Sequence, residues 1–160
     1  MTERIAVIGM GQMGSAMARR LSEAQRDVMG YDINDGVRRN LEAEGVNMAD
    51  SLSAALAGRS TVLTSLPDPD AVNTAWLGAG GIAALAEPGS LLVELSTIDP
   101  DTMKAVGGEA TARGHAVLDC PVSGSPNEAG TGKLVLLVGG EAEVLERAAP
   151  LFDILGQTWQ

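Results

Sequence analysis

Gly9, Gly11 and Gly14 follow directly on the apolar run Ile5-Ala6-Val7-Ile8 and open a segment patterned as a helix. That spacing suits an anion. A glycine at the first position permits a tight turn, and one at the second lets the backbone approach phosphates with no Cβ in the way. One at the third lets the helix pack close to the strand. The free N–H groups and the positive dipole end of the helix then face negative charge. Asp32 stands twenty-three positions after Gly9, near the roughly 20-residue spacing of a carboxylate that holds the ribose of a dinucleotide. The candidate cofactor-binding set therefore begins with Gly9, Met10, Gly11, Gln12, Met13, Gly14 and Asp32. The competing structural readings are a ligand-free strand–turn–helix and an Asp32 that merely caps a turn.

Asp32 also selects between cofactors. A carboxylate at the end of the second strand accepts hydrogen bonds from both hydroxyls of the adenosine ribose and repels a 2′-phosphate. Ile33-Asn34-Asp35 supplies no arginine to hold that phosphate. NAD is expected, with NADP disfavoured.

Strand and helix signals alternate along the chain to hold these residues. Strands are predicted over Arg4–Gly9, Asp27–Ile33, a short Val46–Met48, Ser60–Leu66, Ser90–Leu95 and His115–Asp119, with a further apolar run at Leu134–Val138. Helices are predicted from Gln12 to about Ala24, where Met13, Met17 and Leu21 form a core stripe, and over Asp35–Glu44 and Ser51–Leu56. Asp68-Pro69 and Asp99-Pro100 each read as an N-cap followed by a first-turn proline. The second of these starts a helix reaching Arg113; others cover Ile82–Ala86 and Glu141–Leu155. The last residues, Gly156–Gln160, look like the start of another strand. Alternation of this kind implies an α/β fold: a doubly wound, mostly parallel Rossmann-type sheet with helices on both faces and its ligand at the C-terminal strand ends.

The 160 residues suit a single dinucleotide-binding domain spanning 1–160, with 45% hydrophobic and only 2% aromatic residues. The core must be built from Ala, Val, Leu, Ile and Met. A formal charge of −10 argues against a nucleic-acid partner, which would need a basic face. The pairs Arg19-Arg20 and Arg38-Arg39 are expected on solvated helix faces. No apolar run reaches the roughly 18 residues of a membrane span, and no secretory signal is apparent at the start. A lone Cys120 cannot form an internal disulfide, which fits a cytoplasmic protein. No metal site is expected.

Four segments together resemble the 3-hydroxyacid (β-hydroxyacid) dehydrogenase family, which includes 3-hydroxyisobutyrate dehydrogenases. Gly9-Met10-Gly11-Gln12-Met13-Gly14-Ser15-Ala16-Met17-Ala18 is similar to its cofactor signature. Ser65-Leu66-Pro67 resembles the loop bordering the nicotinamide side, and Glu94-Leu95-Ser96-Thr97-Ile98-Asp99-Pro100 resembles its Ser-Thr-x-x-Pro element. Asp119-Cys120-Pro121-Val122-Ser123-Gly124 resembles its substrate segment, with Ala129, Gly132 and Leu134 continuing the pattern. The resemblance implies that Leu66, Pro67, Ser96 and Thr97 border the cofactor. It also implies that Ser123 and the Gly124 backbone hold the carboxylate of a small hydroxy-acid substrate. A hydroxyl and a backbone N–H are suitable neutral donors for that purpose; the structural alternative is a plain turn.

Two features depart from the family pattern. Ser125 replaces the second glycine of the substrate segment, and Cys120 replaces a small alanine, so Cys120 is expected to be buried rather than nucleophilic. The family's catalytic lysine belongs to a helix after this domain, so no catalytic residue is assigned here. Lys104 and Lys133 are not candidates; Lys133 is read as a strand-edge charge and His115 as a surface residue. The chain alone is expected to bind NAD without appreciable turnover, the full enzyme needing a C-terminal helical domain or a homo-oligomer. The competing functions are the N-terminal domain of an imine reductase, disfavoured by Asp32 and by Asp119–Gly124, and a non-catalytic nucleotide-binding module.

Overall fold

The computed structural model describes residues 3–160. Five strands form one parallel sheet: β1 (Arg4–Ile8), β2 (Asp27–Tyr31), β3 (Thr61–Thr64), β4 (Leu91–Glu94) and β5 (Ala116–Asp119), in the order β2-β1-β3-β4-β5. Residues 5–8, β3 and β4 are buried throughout, as expected for central parallel strands covered on both faces. The pleat divides β1 between two cores. Ile5 and Val7 pack with Met17 and Leu21, whereas Ala6 and Ile8 pack with Val72 and Trp76.

Crossover helices account for that division. α1 (Gln12–Glu23) lies on the first face and α4 (Pro69–Trp76) on the second. Between and after them come α2 (Asp35–Ala43), α3 (Leu52–Leu56), α5 (Ile82–Leu85) and α6 (Pro100–Ala112). The predicted caps hold at Asp68 and Asp99, which accept from Ala71 N and Thr102 N at 2.8 Å each, and Ser51 caps α3 by accepting from Ala54 N.

A second, three-stranded sheet completes the chain. β6 (Val122–Ser123) runs antiparallel to β7 (Leu134–Leu137), which pairs in parallel with β8 (Gly156–Trp159). α7 (Pro126–Thr131) and α8 (Ala142–Leu155) connect these strands. The terminal segment does form a strand. A bridge between Asp119 and Gly139 links the two sheets.

The structure corrects several sequence expectations. Val46–Met48 contributes only one bridge, Met48 to Gly30, because Gly30 N and O bond Asn47 O and Ala49 N and the chain then turns away. His115 is buried at 7% exposure, with Nε2 3.0 Å from Ala83 O. Arg20 and Arg38 are not simply solvated: each bonds a backbone carbonyl, Ile154 O and Asp32 O respectively. α7, with its Ser125–Glu128 capping box, and β6 had no counterpart in the predicted elements. Among the described residues, no helix is long and apolar enough to cross a membrane.

Candidate functional site

β1 hands the chain to α1 on one face of the sheet, and neighbouring β3 hands it to α4 on the other. The connections therefore diverge above the C-terminal ends of β1 and β3, where open α/β sheets bind their ligands.

The three glycines at this point obey different demands. Gly9 has φ +92°, and a Cβ there would lie 2.0 Å from Ser65 O; Gly9 N bonds Tyr31 O at 2.9 Å. Its glycine is required by backbone shape and by contact with the loop after β3. At Gly14 a Cβ would lie 1.8 Å from Gly9 O, so close packing of α1 onto the turn excludes any side chain. Gly11 is exposed with φ −68°, and a Cβ there would meet no protein atom within 4 Å. Nothing in the protein's own packing calls for glycine at that position. The space it leaves fits a diphosphate lying against the backbone.

The start of α1 reinforces that fit. Its N-cap, Gly11, has no side chain to accept from the first-turn amides. α2, α3, α4, α6 and α7 are capped by Asn34, Ser51, Asp68, Asp99 and Ser125, whereas α5 and α8, like α1, start without a side-chain cap. Asp32 follows β2 at the same edge. Its Oδ2 accepts from Met10 N and its Oδ1 from Asn34 N, both at 2.9 Å. The turn-capping role considered for Asp32 is thus real, yet each carboxylate oxygen has a second lone pair for a sugar hydroxyl. Arg38 lies behind it, with Nη1 2.6 Å from Asp32 O, the guanidinium 5.6 Å from the Tyr31 ring centroid, and an ion pair to Asp35.

Across the divergence point, the loops after β3 and β4 are joined: Ser96 Oγ accepts from Leu66 N at 2.7 Å. Leu66 reaches the glycine turn, where its Cδ2 would be 2.9 Å from a Cβ at Gly9. Pro67 and Thr97 lie exposed beside these residues. Gly9–Gly14, Asp32, Leu66 and Ser96 therefore line one continuous edge.

Ser123 and Gly124 belong to the smaller sheet. Both are exposed, and Gly124 has φ +142° with Leu134 and Glu128 close enough to crowd a Cβ. Ser125 starts α7 as its N-cap, which explains a hydroxyl where a second glycine was looked for. Cys120 is buried as expected. Burial, then the charge of Asp119, pushes its thiol up to about 12, which leaves no thiolate for nucleophilic chemistry. Burial also raises the Asp119 carboxyl.

Sequence reasoning missed Glu94, the last residue of β4, which has no solvent exposure. Its Oε1 accepts from Ser96 N at 2.8 Å, and its Oε2 from Trp76 Nε1 at 2.9 Å and Thr64 Oγ1 at 2.5 Å. Burial pushes this carboxyl above the ordinary glutamate range, opposed by the hydrogen bonds from Ser96, Thr64 and Trp76. The available signal was an acid ending the otherwise apolar run Leu91-Leu92-Val93.

Residues 4–160 match the family model described as the NAD binding domain of 6-phosphogluconate dehydrogenase. The chain belongs to that family. This NAD-binding domain is 38% identical over 155 residues to an NAD-dependent L-serine dehydrogenase of Pseudomonas aeruginosa, across 97% of the chain and 52% of that relative. The 3-hydroxyisobutyrate dehydrogenase of Mycobacterium tuberculosis, solved with L-serine, superposes with a TM-score of 0.91 at 31% identity, across 99% of this chain and 54% of that one. An imine reductase of Myxococcus stipitatus, solved with NAD+, shares the fold at a TM-score of 0.89 and 23% identity, over 99% of this chain and 54% of that one. The chain spans about half the length of the curated relatives it matches.

Proposed function

We propose that this NAD-binding domain serves an oxidoreductase that passes hydride between nicotinamide and the carbinol carbon of a small 3-hydroxy acid. The observation that carries the cofactor half of this reading is Gly11, an exposed glycine that the protein's own packing does not require, at an uncapped helix start beside Asp32. The substrate half is supported by the relatives above, one named for L-serine and one solved with it. L-serine is itself a 3-hydroxy acid.

In this reading the first amides of α1 hold the diphosphate, and Asp32 takes the adenosine ribose. Leu66, Pro67, Ser96 and Thr97 border the nicotinamide end. The Ser123 hydroxyl and the Gly124 amide hold the substrate carboxylate, fixing the carbinol C–H against the ring. Bound nicotinamide supplies the hydride-exchanging carbon. The Cys120 thiol takes no part. Removal of the alcohol proton falls to a lysine that the family resemblance places outside residues 1–160, so these residues form one binding domain and the helical remainder completes the site. NAD is preferred to NADP because Asp32 is charged and Arg38 and Arg39 both pair with Asp35.

The test has two arms. Calorimetry on residues 1–160 should show NADH binding with no oxidation of L-serine or 3-hydroxyisobutyrate, while the full protein carrying this domain should oxidise a small 3-hydroxy acid with NAD. Absence of NADH binding to folded protein refutes the cofactor assignment. Robust turnover by residues 1–160 alone refutes the need for an outside lysine.

A further inference from the structure

We propose that Glu94 is a positioning residue that fixes, through Ser96 and Leu66, the wall against which the nicotinamide half of the cofactor lies. The inference rests on the dinucleotide reading above and assigns a residue that this reading does not use.

The geometry is a relay of short contacts running from α4 to the glycine turn. Trp76 Nε1 and Thr64 Oγ1 converge on Glu94 Oε2, at 2.9 and 2.5 Å. Glu94 Oε1 receives Ser96 N at 2.8 Å, closing a loop of two residues around the end of β4. Ser96 is buried, and its Oγ takes Leu66 N at 2.7 Å, so the loop after β3 is held by the loop after β4. Leu66 in turn packs against Gly9.

Core packing alone does not call for this arrangement. A carboxylate with no exposure is costly to desolvate, and an apolar residue at the end of an apolar strand would avoid that cost. A carboxylate nevertheless does what neither an apolar side chain nor an amide can: it accepts from three donors at once, with no proton of its own to misplace. In Glu94→Gln, the carboxamide oxygen can serve either Ser96 N or Trp76 Nε1. Its NH2 then points at the other donor, so one strand-end contact is lost with almost no change of volume. Asp32 stands beyond β1 from this relay, which predicts that the defect spares the adenosine half of the site.

The experiment compares NADH with ADP-ribose, which lacks nicotinamide, by calorimetry on wild type, Glu94→Gln and Ser96→Ala, with bound-NADH fluorescence as a second readout and thermal melts to confirm folding. Expected for both variants is a several-fold weaker NADH affinity, a bound-NADH emission closer to that of free NADH, and ADP-ribose affinity within twofold of wild type. The double variant should lose no more than the weaker single variant, because both cut one relay. Equal weakening of both ligands, or wild-type NADH binding by a folded Glu94→Gln, overturns the proposal. If Glu94→Gln does not fold, Ser96→Ala decides: a nicotinamide-selective loss supports the relay, and wild-type binding overturns it. Wild-type protein that binds neither ligand overturns the dinucleotide reading itself, an outcome distinct from loss of selectivity in the variants.

Discussion

Asp32 Oδ2 accepts the Met10 amide at 2.9 Å, so the acid after β2 is tied to the glycine turn after β1. Its other oxygen is anchored by Asn34 N. The carboxylate is thereby oriented before any ligand arrives, and a sugar bound to it does not have to pay for ordering its side chain.

That anchoring makes cofactor choice testable. Asp32→Asn keeps the shape, removes the charge and leaves an NH2 facing one of the two amides. Hydrogen bonds to a charged group are worth about 1.5–3 kcal/mol, so NADH affinity should fall about tenfold to a hundredfold. NADPH affinity should hold or improve as repulsion of the 2′-phosphate is relieved. Fluorescence titration of both cofactors measures the ratio; an unchanged ratio rejects Asp32 as the selector.

Gly9 and Gly11 should part company under the same substitution. Gly11→Ala places a methyl group in open space at an ordinary φ of −68°, so the melting temperature should stay near wild type while NADH affinity collapses. Gly9→Ala forces a Cβ at φ +92° into Ser65 O and should fold poorly or not at all. A Gly11→Ala variant that binds NADH normally would show that the space beside Gly11 is not the diphosphate seat.

These two glycines also mark what was legible in the sequence. Their spacing after an apolar strand announced the turn, and the position of Asp32 announced a carboxylate beside that turn, because both obey local rules of chain geometry. The parallel sheet followed from alternating strand and helix signals. Glu94 stayed hidden because its partners Thr64 and Trp76 come from elsewhere in the chain, and only the assembled sheet brings them within 3 Å. His115 was misread for a similar reason. Its burial depends on Ala83 in α5, which no local pattern reveals. α7 escaped notice because Pro126–Thr131 has only one buried residue, Ala129, and so no stripe.

The Glu94 carboxyl should leave a signature in stability against pH. Burial raises its folded pKa above the ordinary 4.5, so the folded state keeps a proton that the unfolded chain has already released. This contribution is full below about pH 4.5 and is lost as pH rises through the folded pKa. Glu94→Gln lacks it. Wild type should therefore lose stability relative to Glu94→Gln as pH climbs through the folded pKa, whichever of the two is the more stable in acid, measured by urea unfolding across the series. A flat difference would mean that the carboxyl is not raised.

Ser123→Ala tests, in the full protein, the proposal that Ser123 holds the substrate carboxylate. Ser123 is exposed and packs little, so folding and NADH affinity should not change. Loss of one neutral hydrogen bond, about 1 kcal/mol, should raise KM for the hydroxy acid about fivefold. Equal KM values for variant and wild type would remove Ser123 from the site.

At the opposite edge of the sheet, Arg59 is buried at 4% exposure, and its Nη1 bonds Ile5 O, Asp27 O and Asp27 Oδ1 at 3.2, 2.9 and 3.2 Å. It joins β1 and β2 where the strands begin. Arg59→Met should cost about 1–3 kcal/mol, because buried carbonyls lose their partner, without altering NADH affinity. The same contact, led by the Arg59 hydrogen bond, holds the Asp27 carboxyl below its ordinary 3.8. Asp27 thus adds stability above that value and loses it as pH falls through the lower folded pKa. Arg59→Met should weaken that acid dependence as well as the baseline, both read from thermal melts between neutral pH and pH 3. A variant that loses baseline stability but keeps the wild-type acid profile would show that Asp27 owes its low pKa to Arg4 rather than to Arg59.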